Sequence, residues 1–95
     1  MKQPCAYLLS NRRNGTLYAG VTSNLPRRVW EHRNHLVDGF TKRYGVTCLV
    51  WYEQHESMAS AIAREKTIKS WKRAWKIELI ETENPEWLDL YETLF

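Results

Sequence analysis

The dipeptide Asn14-Gly15 stands between two runs of strand-forming residues, 5–10 (CAYLLS) and 16–21 (TLYAGV). Asn-Gly adopts the positive φ angles of a tight hairpin turn at little cost, so two such runs around it predict an antiparallel hairpin with its turn at 11–15. The first run is apolar on both of its faces, as expected of a strand covered on both sides. A two-residue turn at Asn14-Gly15 would pair Tyr18 with Asn11. Asn11 lies four residues from Tyr7, so the two phenols would share one face of the sheet. A three-residue loop would break that parity. Gly20, inside the second run, marks a bulge or a close backbone approach.

The rest of the chain alternates in kind. Asn24 can cap a helix and Pro26 suits its first turn, which predicts a helix over about 25–36. Residues 37–45 (VDGFTKRYG) read as a loop, and 46–53 (VTCLVWYE) as the third strand. Ser57 caps a second helix over roughly 58–75, and 76–81 is ambiguous between helix end and strand. Asn84-Pro85 opens a last helix with Trp87, Leu88, Leu90, Tyr91 and Leu94 as its packing set. The order ββαβαα predicts an α/β (α+β) domain: a small, mainly antiparallel three-stranded sheet flanked by helices. Residues 1–95 read as one domain, with a core over 5–76 and a C-terminal helical segment over 77–95.

Charge divides at the same point. Residues 1–76 hold all 14 Lys and Arg and five acids (Glu31, Asp38, Glu53, Glu56 and Glu65), whereas 77–95 hold six acids and no base. A basic body favours a polyanion, although a solvated basic surface would have the same composition. Cys5 and Cys48 form no CxxC pair and read as free thiols of a reducing compartment. The N-terminal apolar stretch is too short for a signal peptide, and no run approaches the ~20 apolar residues of a membrane span. The expectation is a soluble cytoplasmic protein, not a membrane one.

Polar residues fall where core residues belong. At about 100° per residue from Leu25, Val29 and Leu36 define the apolar stripe of the first helix. His32 falls inside that stripe, and Arg28, one turn earlier, falls on its flank. On the second helix Glu65 sits within the face made by Ala61, Ile62 and Ile68. Each residue has an ordinary explanation: a core histidine, a snorkelling arginine, an ion pair of Glu65 with Lys69, two strand tyrosines packing in a core. As a set they fit phosphoryl transfer. A carboxylate holds a divalent ion through few protein ligands, and the ion stabilises charge on the phosphate. An arginine neutralises non-bridging oxygens, and a phenol or imidazole handles the attacking water.

The same residues, in order, resemble the GIY-YIG nucleases, over residues 5 to about 76. Cys5-Ala6-Tyr7 matches the half-motif Gly-Ile-Tyr in its tyrosine. Tyr18-Ala19-Gly20 matches Tyr-Ile-Gly in its tyrosine and glycine. TSNLPRRVWEH resembles the family's first helix, whose arginine falls on Arg28, with His32 where several members carry histidine or tyrosine. The family's metal-binding glutamate falls on Glu65 within AIAREKTIKSWKRAWK. Val21 stands where some members carry a lysine or histidine that helps position the nucleophile.

The resemblance implies a DNA endonuclease dependent on Mg²⁺ or Mn²⁺, serving repair or recombination, with Tyr7, Tyr18, Arg28, His32 and Glu65 as its catalytic set and Glu65 as metal ligand. Either tyrosine can be the base, and analogy favours Tyr7. A free phenol titrates near 10, so Arg28 or the metal would have to depress it. Lys42, Arg43, Lys69, Lys72 and Arg73 are candidates for DNA backbone contacts, while Trp71 and Trp75 read as core. Larger members add a DNA-binding domain. None falls within these residues, so a DNA-targeting protein partner is a further expectation. Two rivals stand beside this reading: a non-catalytic DNA-binding module, and a protein-interaction domain using the acidic, aromatic C-terminal segment. The sequence does not speak to oligomeric state.

Overall fold

The computed structural model describes residues 3–95. Its centre is a three-stranded antiparallel sheet in the order β2-β1-β3, with β1 at Cys5–Ser10, β2 at Leu17–Thr22 and β3 at Cys48–Gln54. All six residues of β1 are buried, as its two-faced apolar pattern requires. Ala6 and Leu8 join Ala19, Val50 and Trp51 on one face of the sheet, and Cys5, Tyr7 and Leu9 join Leu49 on the other. Opposite β1, Leu8 pairs with Trp51 and Leu9 with Leu49, which leaves Val50 as the extra residue of a bulge in β3.

Helix α1 (Leu25–Arg33) covers the Tyr7 face with Leu25 and Val29. Asn24 accepts the Arg27 amide at its N-terminus, as the capping signal predicts. The helix ends three residues short of 36. His35 adopts a left-handed φ of 56°, and Leu36 lies outside the helix, 62% exposed, rather than in the apolar stripe. Residues 37–45, expected as loop, contain a five-residue helix α2 (Phe40–Tyr44), which closes on Gly45 in the left-handed region.

The helix expected over 58–75 is two helices, α3 (Met58–Ser70) and α4 (Arg73–Glu83), separated by extended backbone at Trp71 and Lys72. The break turns α4 so that Ile80 meets Ile68, Val50 and Trp51 on the sheet's other face. The ambiguous residues 76–81 are helical.

The predicted last helix is not α-helical. Trp87 takes a left-handed φ of 56°, and a 3-10 helix forms over Leu90–Leu94. Buried Asn84 holds this segment down, donating to the carbonyls of Val50 and Leu88 and accepting the Leu88 amide. Trp87 then packs on one core, and Leu90, Tyr91 and Leu94 on the other, while Leu88 is exposed. The acidic segment thus closes both faces of the sheet. Asp89 receives the Leu49 amide and pairs with Arg33. Cys5 and Cys48 are both free thiols. Among the described residues no helix is long and apolar enough to cross a membrane.

Candidate active site

The hairpin places both phenols. Its loop spans 11–16, so Ser10 faces Leu17 and Tyr18 faces Leu9, not Asn11. The register differs by two residues from that of a two-residue turn, and an even slip leaves every side chain on its expected face. Tyr7 and Tyr18 share one face, with ring centroids 6.4 Å apart. Tyr7 pairs across the ladder with Gly20, and its ring occupies the space a side chain there would fill. A Cβ on Gly20 would lie 2.4 Å from Tyr7 Cζ and 2.5 Å from its hydroxyl.

Helix α1 brings Arg28 and His32 to the same hydroxyl. Tyr7 Oη lies 3.2 Å from His32 Nε2, and Arg28 faces that oxygen as well. His32 Nδ1 lies 2.9 Å from Thr41 Oγ1. Burial pushes the Tyr7 phenol up to about 12, helped by Tyr18 and by the charge of Glu65 and opposed by Arg28. Burial, together with the charge of Arg28, pulls His32 down to about 4. Near neutrality, therefore, the phenol is protonated and the imidazole neutral. Arg28 can only donate, so the phenolic proton points at His32 Nε2. That nitrogen must accept, and the ring's one proton sits on Nδ1 and is donated to Thr41 Oγ1. Thr41, 3% exposed on α2, is a site residue that sequence reasoning missed. No spacing signals it, because nine residues and a loop separate it from His32. The expectation that Arg28 depresses the phenol is not met in the protein alone: burial outweighs the guanidinium.

Glu65 approaches from the other side of the sheet. α3 packs along β2 and β1, and β2 is an edge strand, so the group lies at the sheet's open edge. The Glu65 side chain is 12% exposed, and its Oε2 lies 2.8 Å from Lys69 Nζ. The ion pair considered as the alternative for Glu65 is therefore present. Lys69 is half exposed and can leave the pair at small cost. The carboxylate is nonetheless close enough for its charge to oppose ionisation of Tyr7. Among the described residues no group of three or more His, Cys, Asp or Glu could hold a metal. A single carboxylate, 12% exposed and tied to a half-exposed lysine, suits Mg²⁺, which keeps several waters and takes substrate oxygens to complete its shell. Of the remaining apolar-face residues of α3, Ala61 and Ile68 are buried, but Ile62 is 36% exposed.

The predicted basic contacts are spread out. Lys42 pairs with Asp38, and the Arg43 guanidinium lies over the Tyr44 ring. Lys72 lies over Trp75. Arg73 Nη2 donates to the carbonyls of Asn14 and Gly15, tying α4 to the hairpin loop. Lys69 and Lys76 line a cleft with Tyr18 and Phe40. Trp71 packs against the core as expected, but Trp75 is half exposed. Arg27 and Arg28 edge an open groove with Ser23, Asn24 and Glu31, and Glu31 bridges both arginines.

Comparison with known proteins bears on the family and the fold. The family model described as the GIY-YIG catalytic domain matches residues 3–78. A UPF0213 protein of Syntrophus aciditrophicus is 38% identical over 72 residues, covering 75% of this chain and 82% of its own. One of Natronomonas pharaonis is 40% identical over 68 residues, covering 72% and 80%. The solution NMR structure of the UPF0213 protein BH0048 from Bacillus halodurans shares the fold, with a TM-score of 0.54 and 22% identity over 94% of this chain and 93% of that one.

Proposed function

Since the chain belongs to the GIY-YIG catalytic domain family, a nuclease-type family, we propose that it is a divalent-metal-dependent DNA endonuclease with Tyr7, Tyr18, Arg28, His32 and Glu65 as its catalytic set. The observation that carries the reading is convergence on one atom. His32 and Arg28 of α1 both reach the Tyr7 hydroxyl of β1, and the charge of Glu65 on α3 is felt there against that of Arg28. A core tyrosine needs one partner, not a guanidinium and a carboxylate besides.

Tyr7 is the base in this reading, and it works as a relay. A phenol with a pKa of about 12 stays protonated near neutrality and has almost no phenolate to offer the water. Its oxygen takes a proton from the attacking water while its own proton passes to His32 Nε2. The water oxygen bonds to phosphorus as the bond to the leaving oxygen breaks. Thr41 holds the Nδ1 proton in place, which leaves Nε2 the nitrogen that receives the proton. Arg28 neutralises a non-bridging oxygen from the open groove. Tyr18, 5.6 Å from His32 between ring centroids, holds the imidazole edge and excludes water. Glu65 would hold Mg²⁺ or Mn²⁺, which supplies charge stabilisation to the phosphate and leaving oxygen.

Lys42, Arg43, Lys69, Lys72 and Arg73 serve as backbone contacts in this reading, Arg73 through the nitrogens it does not spend on the hairpin loop. The basic body supports a nucleic-acid substrate, and a role in repair or recombination, a cytoplasmic location and a DNA-targeting partner belong to the same proposal.

The test is Mg²⁺-dependent cutting of branched, flapped and plain duplex DNA. Glu65→Gln should abolish products while the melting temperature stays within a few degrees. Unchanged cutting by that variant removes the metal role of Glu65. The Glu65–Lys69 pair favours a second reading, a DNA-binding module in which the carboxylate is structural. Binding without products under every metal would establish it.

A further inference from the structure

Helix α2 presents two faces with different occupations. Thr41 points inward to His32, while Phe40 and Tyr44, one helical turn apart, are 44% and 47% exposed. Their rings lie 4.9 Å apart between centroids. Phe40 in turn stacks on Tyr18 at 6.3 Å with an interplanar angle of 25°. The three rings make a continuous aromatic path from the candidate active site to the surface. Cations bracket it: Arg43 over Tyr44, Lys42 beside it, and Lys69 and Lys76 along the cleft that Tyr18 and Phe40 line. Asp38, paired with Lys42, is the acid at its margin.

Exposed large rings cost solvation unless something covers them, and here the surrounding charge says what would. Positive groups that follow a phosphate backbone, alternating with rings that accept a base face, form the stacking platform of single-stranded nucleic-acid binding. A protein partner would have to bury the same cations against matching acids.

We propose that Phe40 and Tyr44 form a stacking platform for unpaired nucleotides next to the scissile phosphate, so that the protein takes DNA with a single-stranded segment in preference to plain duplex. This rests on the nuclease reading for its phosphate, but binding alone tests it. The helix geometry supports the role: Phe40 and Tyr44, four residues apart on α2, fall on one side, and Gly39 and Gly45, both at positive φ, bound the helix.

The experiment measures affinity in EDTA, where no cleavage occurs, for an oligothymidylate strand of about 12 nucleotides, an abasic strand of the same length and charge, and a plain duplex. The wild-type protein should bind thymidylate about tenfold tighter than the abasic strand, the fold-change expected when bases stack on rings. Tyr44→Leu, a substitution at the surface, should bring the two strands to within about twofold and leave duplex binding within about twofold. Equal wild-type binding of both strands would overturn the platform without recourse to any variant. So would a base preference that survives Tyr44→Leu. Base-dependent binding together with no cleavage under any metal would keep the platform and sink the nuclease reading alone.

Discussion

Tyr7 lies against the bare Cα of Gly20, its partner across the β1–β2 ladder, so tightly that a Cβ would come within 2.4 Å of the phenol's Cζ. The glycine is required by a neighbour's ring and not by its own backbone angles. It gives a physical reason for a tyrosine in one strand and a glycine two residues after a tyrosine in the next. Gly20→Ala should therefore displace the Tyr7 hydroxyl from His32, lower stability by roughly 1–3 kcal/mol and reduce cleavage at least tenfold. In a Tyr7→Ala background the same change should cost under about 0.5 kcal/mol in urea denaturation, because the clash has gone. Equal costs in the two backgrounds would refute the contact as the cause.

Thr41→Val removes the acceptor of the His32 Nδ1 proton while conserving shape. A buried N–H left without a partner costs about 1–3 kcal/mol, and the imidazole can relieve it by moving the proton to Nε2. The Tyr7 proton would then lose its acceptor. Nitrogen NMR of the wild-type imidazole should show protonation at Nδ1, and the variant should show Nε2 protonation or a mixture. Cleavage should fall about tenfold, with melting lowered by roughly 4–8 °C for each kcal/mol lost. A wild-type Nε2–H tautomer would contradict the relay.

Much of this site is legible in the sequence, and the exceptions have a common cause. Tyr7 and Tyr18 on one face, His32 in the α1 stripe and Glu65 in the α3 face follow from periods of 2 and 3.6, which hold wherever the element persists. The two phenols kept their face despite a longer loop only because the slip was even. Leu36 failed because α1 stops at Arg33, with nothing at Asn34 or His35 as emphatic as glycine or proline. The break at Trp71 and Lys72 has no helix breaker either; it follows from where Ile80 must pack. Thr41 was invisible because its partner is fixed by tertiary folding of a segment that reads as loop. The Trp87 turn depends on Asn84 reaching β3, a contact no local pattern encodes.

His32 gives the fold an acid-side weakness. Its folded pKa of about 4 lies below the ordinary value near 6.5. The unfolded chain therefore binds a proton in the window between them that the folded chain does not, and stability falls as pH drops from about 6.5 to about 4. Above that window the neutral ring makes no pH-dependent contribution, and below it the loss is complete, at about 3 kcal/mol. Urea midpoints at pH 7 and pH 4.5 should separate more in the wild type than in His32→Gln, since carboxylate effects common to both cancel. Parallel slopes would show that another group carries the acid sensitivity.

The ion pair of Glu65 with Lys69 makes a prediction about metal affinity that is independent of DNA. Lys69 Nζ neutralises Oε2 from 2.8 Å, so any cation at that carboxylate must first displace it. The lysine is half exposed, so water screens the pair and its net value is at most about 1 kcal/mol. Lys69→Met keeps the apolar stem and removes the charge. Mn²⁺ affinity, read by calorimetry or spin resonance without nucleic acid, should then rise roughly threefold to fivefold. Glu65→Gln should abolish the binding in either background. DNA affinity is expected to move the other way, because Lys69 also lines the cleft beside Tyr18 and Phe40. One lysine would thus guard the carboxylate while the site is empty and move to the phosphate backbone when substrate arrives. Unchanged or weaker Mn²⁺ binding in Lys69→Met would mean that the metal does not use Glu65 Oε2.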